Sequence, residues 1–164
     1  MDAMTAHSEA KPHPLIAPLD VSKIKDEKGV KTLIKRLLDF HGWFHWMPAA
    51  NGFGTMGVSD HNAIKDGVFI VIQAKFGRGK ATPLQKKFAQ HIITNDGYAF
   101  CVNERNIDHL AMFLESFEHA VLAQRNGKEV PIEHGSRMLN AISALTDGFA
   151  ETPLGAVPAQ APRS

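Results

Sequence analysis

The chain has 164 residues, 44% of them apolar, which is enough for one sizeable core and short for two. Its formal net charge is +1 and its pI is near 8.0, so no global field marks a nucleic-acid binder and any such reading rests on local charge. The single cysteine excludes an intrachain disulfide, no stretch approaches the roughly 20 apolar residues of a membrane span, and no charged-then-apolar signal pattern opens the chain; a cytoplasmic protein without membrane partners is expected.

Residues 1–20 hold Pro12, Pro14 and Pro18 with little periodic apolar content and read as a flexible arm. From Val21 to Phe40 the spacing becomes helical. Ile24, Val30, Leu33, Ile34, Leu37 and Leu38 form one apolar face, with Lys25, Lys28, Lys31, Lys35 and Arg36 largely off it, and Gly29 is expected to split or delay the helix start. Trp43–Met47 reads as a first strand, since its aromatics suit a half-buried pleated surface. His41 and His45 flank it; with no further Cys or His at ligand spacing, they point to structural or solvent-facing roles rather than zinc. Pro48–Gly57 is a glycine-bearing loop, either an ordinary connection or a place where a phosphate backbone comes close. Two strands follow, Ser59–Ile64 and Val68–Lys75, joined at Lys65-Asp66-Gly67, where Asp-Gly supplies the positive φ of a tight hairpin.

After a basic glycine loop, Thr82-Pro83-Leu84-Gln85 carries an N-cap, a first-turn proline and the glutamine of a capping box. The helix is expected to run to about Asn95, burying Leu84, Phe88 and Ile92, exposing Lys86 and Lys87, and ending at Gly97. Tyr98–Val102 reads as a last strand, with Cys101 a buried thiol rather than a nucleophile. Asn106 to about Arg125 is a long amphipathic helix closed by Asn126-Gly127. Ser136–Leu145 is a shorter helix whose Met138, Leu139, Ile142 and Leu145 cover the core or a second subunit. Beyond Gly148 the Pro, Ala and Gly content predicts disorder.

Side-chain alternation puts Gln73 and Lys75 on one face at the end of their strand. The antiparallel partner brings Asp60 alongside that end, so an acid, an amide and an ammonium are expected to converge. Between Lys65 and Lys87 six lysines and arginines face one acid, Asp66, a local charge of +5 beside the proposed site. In order, the chain reads Gly57-Val58-Ser59-Asp60, a hydrophobic strand ending Gln73-Ala74-Lys75, a short basic loop, and Thr82-Pro83-Leu84-Gln85. From roughly Lys23 to Phe117 this resembles the PD-(D/E)XK nuclease superfamily, and more closely its compact VRR-NUC (virus-type replication-repair nuclease) branch. That branch has a Gly-Val-Pro-Asp-like turn, a strand ending Glu-x-Lys, a basic loop and a Ser/Thr-Pro-x-Gln helix start. Two positions depart from it: Ser59 stands for the proline and Gln73 for the carboxylate. The family's first-helix glutamate has no counterpart near Val30 or Lys31. Glu27, about one turn earlier, is the nearest substitute besides Asp26, and also reads as a solvated helix-start carboxylate favoured by the dipole.

The resemblance implies an α/β, restriction-endonuclease-like core of helix, three-stranded antiparallel meander, helix, strand and helix, with a mixed sheet flanked by helices. It assigns residues 21–125 to the nuclease domain, leaving 126–147 as a helical extension and 148–164 as a tail. It implies a Mg²⁺- or Mn²⁺-dependent deoxyribonuclease of a bacterial cell or phage-infected host, acting on branched DNA such as a Holliday junction or flap in replication, recombination or repair, and a homodimer. Asp60, the Gln73 side-chain oxygen and the Ala74 carbonyl would hold one ion, with Glu27 assisting. Lys75 would stabilise the developing phosphorane charge or position water, while Gln85 orients water or phosphate as well as capping its helix. Arg78, Lys80, Lys86 and Lys87 would contact phosphates. An amide contributes a dipole where a carboxylate contributes a charge, so a weak metal site is expected. The alternative is a catalytically degenerate nuclease fold serving as a DNA-binding or structural subunit.

Overall fold

The computed structural model describes residues 13–14, 21–49 and 57–150. Most of the expected arm, the tail from residue 151, and Gly52 and Gly54 lie outside the described residues. A 3-10 turn at Val21–Lys23 precedes α1, Glu27–Phe40. The helix begins at Glu27 rather than Val21 because Asp26, in an extended conformation, caps it: its carboxylate accepts the Gly29 N–H at 2.7 Å, a contact typically worth about 1 kcal/mol. Val30, Leu33, Ile34, Leu37 and Leu38 are its buried side chains, the face expected from their spacing.

The strands β1 (Phe44–Trp46), β2 (His61–Lys65) and β3 (Val68–Ala74) form an antiparallel meander, and β4 (Tyr98–Val102) joins β3 in parallel, giving the order β1-β2-β3-β4. At the hairpin turn Asp66 has φ 50° and Gly67 φ 80°, as a tight primed turn requires. β2 starts at His61 rather than Ser59 and β3 ends at Ala74 rather than Lys75, so Asp60 and Lys75 sit just beyond the ladder. A parallel neighbour needs a crossover, and α2 (Pro83–Thr94) supplies it.

Alternation along β3 feeds two apolar layers. Ile70, Ile72 and Ala74 join α1, α3 (Ile107–Arg125) and α4 (Ile132–Thr146) in the main core, while Val71 packs with Ala89 and Ala99 on the α2 side. The run Val68–Ile72 is thus a strand covered on both faces, which is why it reads as continuously apolar.

Four sequence expectations need correction. Leu84 is exposed, and Ala89 is the buried residue of α2. The left-handed residue after α2 is Asp96 (φ 62°), not Gly97. Gly97 is required for room, since a Cβ there would lie 2.7 Å from Ile92 Cγ2. The last helix begins at Ile132, not Ser136: Pro131 starts it, but the exposed Ile132 and the interior Gly135 leave its first turn without an apolar signal. Finally, Asp147–Phe149 forms a 3-10 turn in which Gly148 lies so close to Cys101 that a Cβ would come within 2.6 Å of Cys101 Cβ. Among the described residues no helix is long and apolar enough to cross a membrane. Among the described residues the architecture is α/β, a four-stranded mixed open sheet with four α-helices.

Candidate functional site

The turn ahead of β2 is built to hold Asp60. Ser59 is buried and its Oγ donates to Asn62 Oδ1 at 2.7 Å, closing the turn with a side-chain bond. Gly57 has φ 80°, and a Cβ on it would fall 2.5 Å from the carbonyl carbon of Leu84 and 2.9 Å from Gln85 N. Only glycine permits that approach, and it seats the Gly57–Asp60 turn against the first turn of α2. Two sequence motifs far apart in the chain thereby become neighbours.

Both carboxylate oxygens of Asp60 are engaged. Oδ2 accepts from the Gln73 side-chain N–H and, at 2.8 Å, from the Ala74 backbone N–H. Oδ1 lies 2.8 Å from the Lys31 ammonium, which also contacts Glu27 Oε1 at 2.9 Å. The register His61↔Ile72 sets this geometry, because it leaves Asp60 opposite Gln73. Gln73 is 4% exposed, and its Oε1 has no hydrogen-bond partner among the described residues. With its nitrogen given to the carboxylate, the amide is left with a buried, unsatisfied acceptor. Burial lowers the Lys31 pKa, but its hydrogen bonds to Asp60 and Glu27 and the charge of the two carboxylates more than offset that, so the net shift is upward and the ammonium stays charged.

The acid and the amide therefore converge as expected, and the ammonium in ion-pair contact with the acid is that of Lys31. Lys75 is tied through its backbone N–H to Val102 O at 2.8 Å, and among the described residues its Nζ makes no ion pair. Ala74 meets Asp60 through its backbone N–H. Gln85 closes the capping box: its Oε1 accepts from Thr82 N at 2.9 Å and its own N–H donates to Thr82 Oγ1 at 3.3 Å. The side chain is thereby committed to the helix start.

The basic loop is anchored from beneath. Both Glu104 oxygens accept from Gly77 N at 3.1 Å, and Arg105 donates to Gly77 O at 2.8 Å. Gly77 has φ 58°. Arg78 and Lys80 project exposed from this loop and Lys87 is exposed on α2, whereas Lys86 is half-buried and donates to Ala150 O at 3.3 Å. His41 and His45 do not share a strand face. His41 is buried at the end of α1, 3.2 Å from Glu118, and His45 pairs with Asp39 at 2.8 Å.

Two residues at the site have no clear signal in the sequence. Lys31 reads as a lysine off the apolar face, although it falls near the position where the resemblance calls for an acid. His61 stands in no motif. It is 1% exposed, next to Asp60, and neither ring nitrogen has a partner among the described residues. Burial holds its pKa below the ordinary histidine value against the opposing pull of the Asp60 carboxylate, with His45, Lys31 and Lys35 adding to the lowering, so the ring is neutral at neutral pH.

Among the described residues no three His, Cys, Asp or Glu side chains gather as a metal group. The carboxylates of Asp60 and Glu27 that flank Lys31, and the orphaned oxygen of the Gln73 amide bonded to Asp60, are nevertheless hard donors of the kind Mg²⁺ prefers. They fit a weakly held divalent ion on condition that the ammonium leaves. No protein-family model, no curated protein and no solved structure matches this chain.

Proposed function

We propose that this chain is a metal-dependent deoxyribonuclease with a restriction-endonuclease-like core, hydrolysing phosphodiester bonds of branched DNA in the cytoplasm of a bacterial cell or phage-infected host. The observation that carries this reading is the meeting of the Asp60 carboxylate and the Gln73 amide at the end of β3, packed against the start of α2 and followed by a basic loop. An acid from the turn before β2 and an amide oxygen from β3 would hold a cation at the ends of the two central strands, within reach of a duplex backbone. Mg²⁺ bound there supplies Lewis-acid polarisation of the phosphoryl oxygen and a more acidic bound water.

The chain's own residues account for the rest of the chemistry. Asp60 and Gln73 orient the cation, and Glu27 contributes charge from α1. Lys75, without an ion-pair partner among the described residues, is available to stabilise the negative charge that develops on phosphorus. Arg78, Lys80 and Lys87 meet flanking phosphates, a contact set without sequence preference. Gln85 acts through the capping box, positioning the first turn of α2 beside Gly57.

The test is cleavage of labelled linear, flap and four-way-junction DNA with Mg²⁺ or Mn²⁺, run beside Asp60→Ala at the same salt. Cutting that needs metal and disappears in the variant supports the reading; cutting that survives in Asp60→Ala removes this site from it. A second reading, a DNA-binding subunit that does not cut, is favoured by one observation: Asp60 already has a cation, Lys31. Salt-sensitive binding without cleavage selects it.

A further inference from the structure

The ammonium of Lys31 sits between two carboxylates from different parts of the fold, 2.9 Å from Glu27 Oε1 on its own helix and 2.8 Å from Asp60 Oδ1 in the turn before β2. The second oxygen of Asp60 is held by the Gln73 amide nitrogen, and the same amide carries the buried Oε1 that has no partner among the described residues. Two carboxylates from different parts of the fold therefore flank one positive charge, and the amide that holds one of them keeps a buried oxygen that the charge does not satisfy. An ammonium only donates hydrogen bonds and here spends them on the two carboxylates, whereas Mg²⁺ takes carboxylate and amide oxygens alike as ligands, at about 2.0–2.1 Å.

We infer that Lys31 is the resident counter-ion of this site, a positioning residue that fixes Asp60 in the metal-free chain and that a divalent ion must displace to bind. The inference rests on the nuclease reading for the identity of the site; the competition follows from charge and contact alone. Lys31 is suited to both states. Its side chain is 29% exposed, so the head can swing into water on its flexible stem. Each of its ion pairs is partly solvated and individually weak, so displacement is feasible, though the two together penalise metal binding. At the position where the resemblance calls for an acid that would strengthen a metal site, this chain carries a cation that weakens one.

Calorimetric titration of Mn²⁺ into the full chain tests this, comparing wild type with Lys31→Met, Lys31→Gln, Lys31→Arg and the double variant Lys31→Met/Asp60→Ala. Removing the ammonium should tighten Mn²⁺ binding about tenfold in both Lys31→Met and Lys31→Gln. Lys31→Arg, which keeps the charge, should bind no tighter than wild type, and the double variant should lose the gain. Without metal, Lys31→Met should unfold at lower temperature than wild type, and Mn²⁺ should raise its midpoint more. Equal or weaker Mn²⁺ affinity in Lys31→Met and Lys31→Gln, including no binding by any of the proteins, overturns the inference, as does a gain that persists without Asp60. In the wild type, adding Mg²⁺ should shift the Lys31 Cε–Hε resonance, and a resonance unmoved at saturation also overturns it. Failure of this inference and failure of the nuclease reading are separable. Tighter Mn²⁺ binding without DNA cleavage removes only the nuclease, and metal-dependent cleavage with Mn²⁺ affinity unchanged in the Lys31 variants removes only the competition.

Discussion

The β2–β3 hairpin carries a lysine–carboxylate cluster at each end. At the turn end, Lys65 donates to the carbonyl of His41 and lies 3.1 Å from Glu118, whose carboxylate is also 3.2 Å from His41. At the open end, Lys31 lies between Glu27 and Asp60. The residue types are the same, yet the surroundings differ. Lys65 satisfies the carbonyl that ends α1 and ties that helix to α3, which is work for the fold. The open-end cluster adjoins a buried amide oxygen without a partner among the described residues, and the basic loop that follows β3 is tied to Glu104. Each end holds a buried polar atom without a hydrogen bond among the described residues, His41 Nδ1 at the turn and Gln73 Oε1 at the open end; what sets the open end apart is that its orphan is an oxygen on the amide that holds the Asp60 carboxylate.

The sharpest break between the two ends is expected from Asp60→Ala. Cleavage should fall to background, and the buried Gln73 amide nitrogen, losing its acceptor, should cost about 1–3 kcal/mol of stability, read by denaturant unfolding. If cleavage is retained, the open end is as structural as the turn end. Gln73→Glu should bind Mn²⁺ more tightly than wild type by calorimetry and cut at an equal or higher rate. Its metal-free form should melt lower, since two carboxylates would then share the site. A large loss of cutting would show that the amide has a role of its own.

His61 adds a pH term to the open end. Its folded pKa lies below the ordinary histidine value of 6.5, so between that lowered value and 6.5 the unfolded chain binds more protons. Stability is therefore fully present above the unfolded pKa and falls as pH drops below it. His61→Leu should shrink the loss of unfolding free energy between neutral and mildly acidic pH. An identical pH profile would assign acid sensitivity to other groups, His13 and His134, whose pKa values are also lowered by burial. The smallest effect is expected at the turn end: Lys65→Met should leave DNA cleavage unchanged and lower stability by at most about 1 kcal/mol, as suits a partly exposed ion pair. A cleavage defect there would erase the contrast between the ends.

Local signals were legible where one residue's chemistry decides the backbone. Asp66-Gly67 announced the hairpin, Thr82-Pro83 the start of α2, and Tyr98–Val102 its own strand, because positive φ, capping and unbroken apolar runs are properties of a few adjacent residues. The helix spacing of Leu33, Ile34, Leu37 and Leu38 likewise identified a buried face. Boundaries were harder to read. Asp26 rather than Val21 starts α1, since a side-chain cap outweighs apolar content in choosing the first turn. The onset of α4 was hidden by Gly135.

The sequence by itself determined the order of helices and strands, the hairpin and its turn, and the candidates Asp60 and Gln73, because periodicity and turn chemistry act over short stretches. Only the tertiary structure decided that Lys31 pairs with Asp60. That contact depends on how α1 lies against the sheet, a matter of long-range packing that local spacing does not encode. The same holds for Gly57 against Leu84 and for Gln73 Oε1 left without a partner. Contacts and vacancies between distant segments follow from the three-dimensional balance of burial and hydrogen bonding.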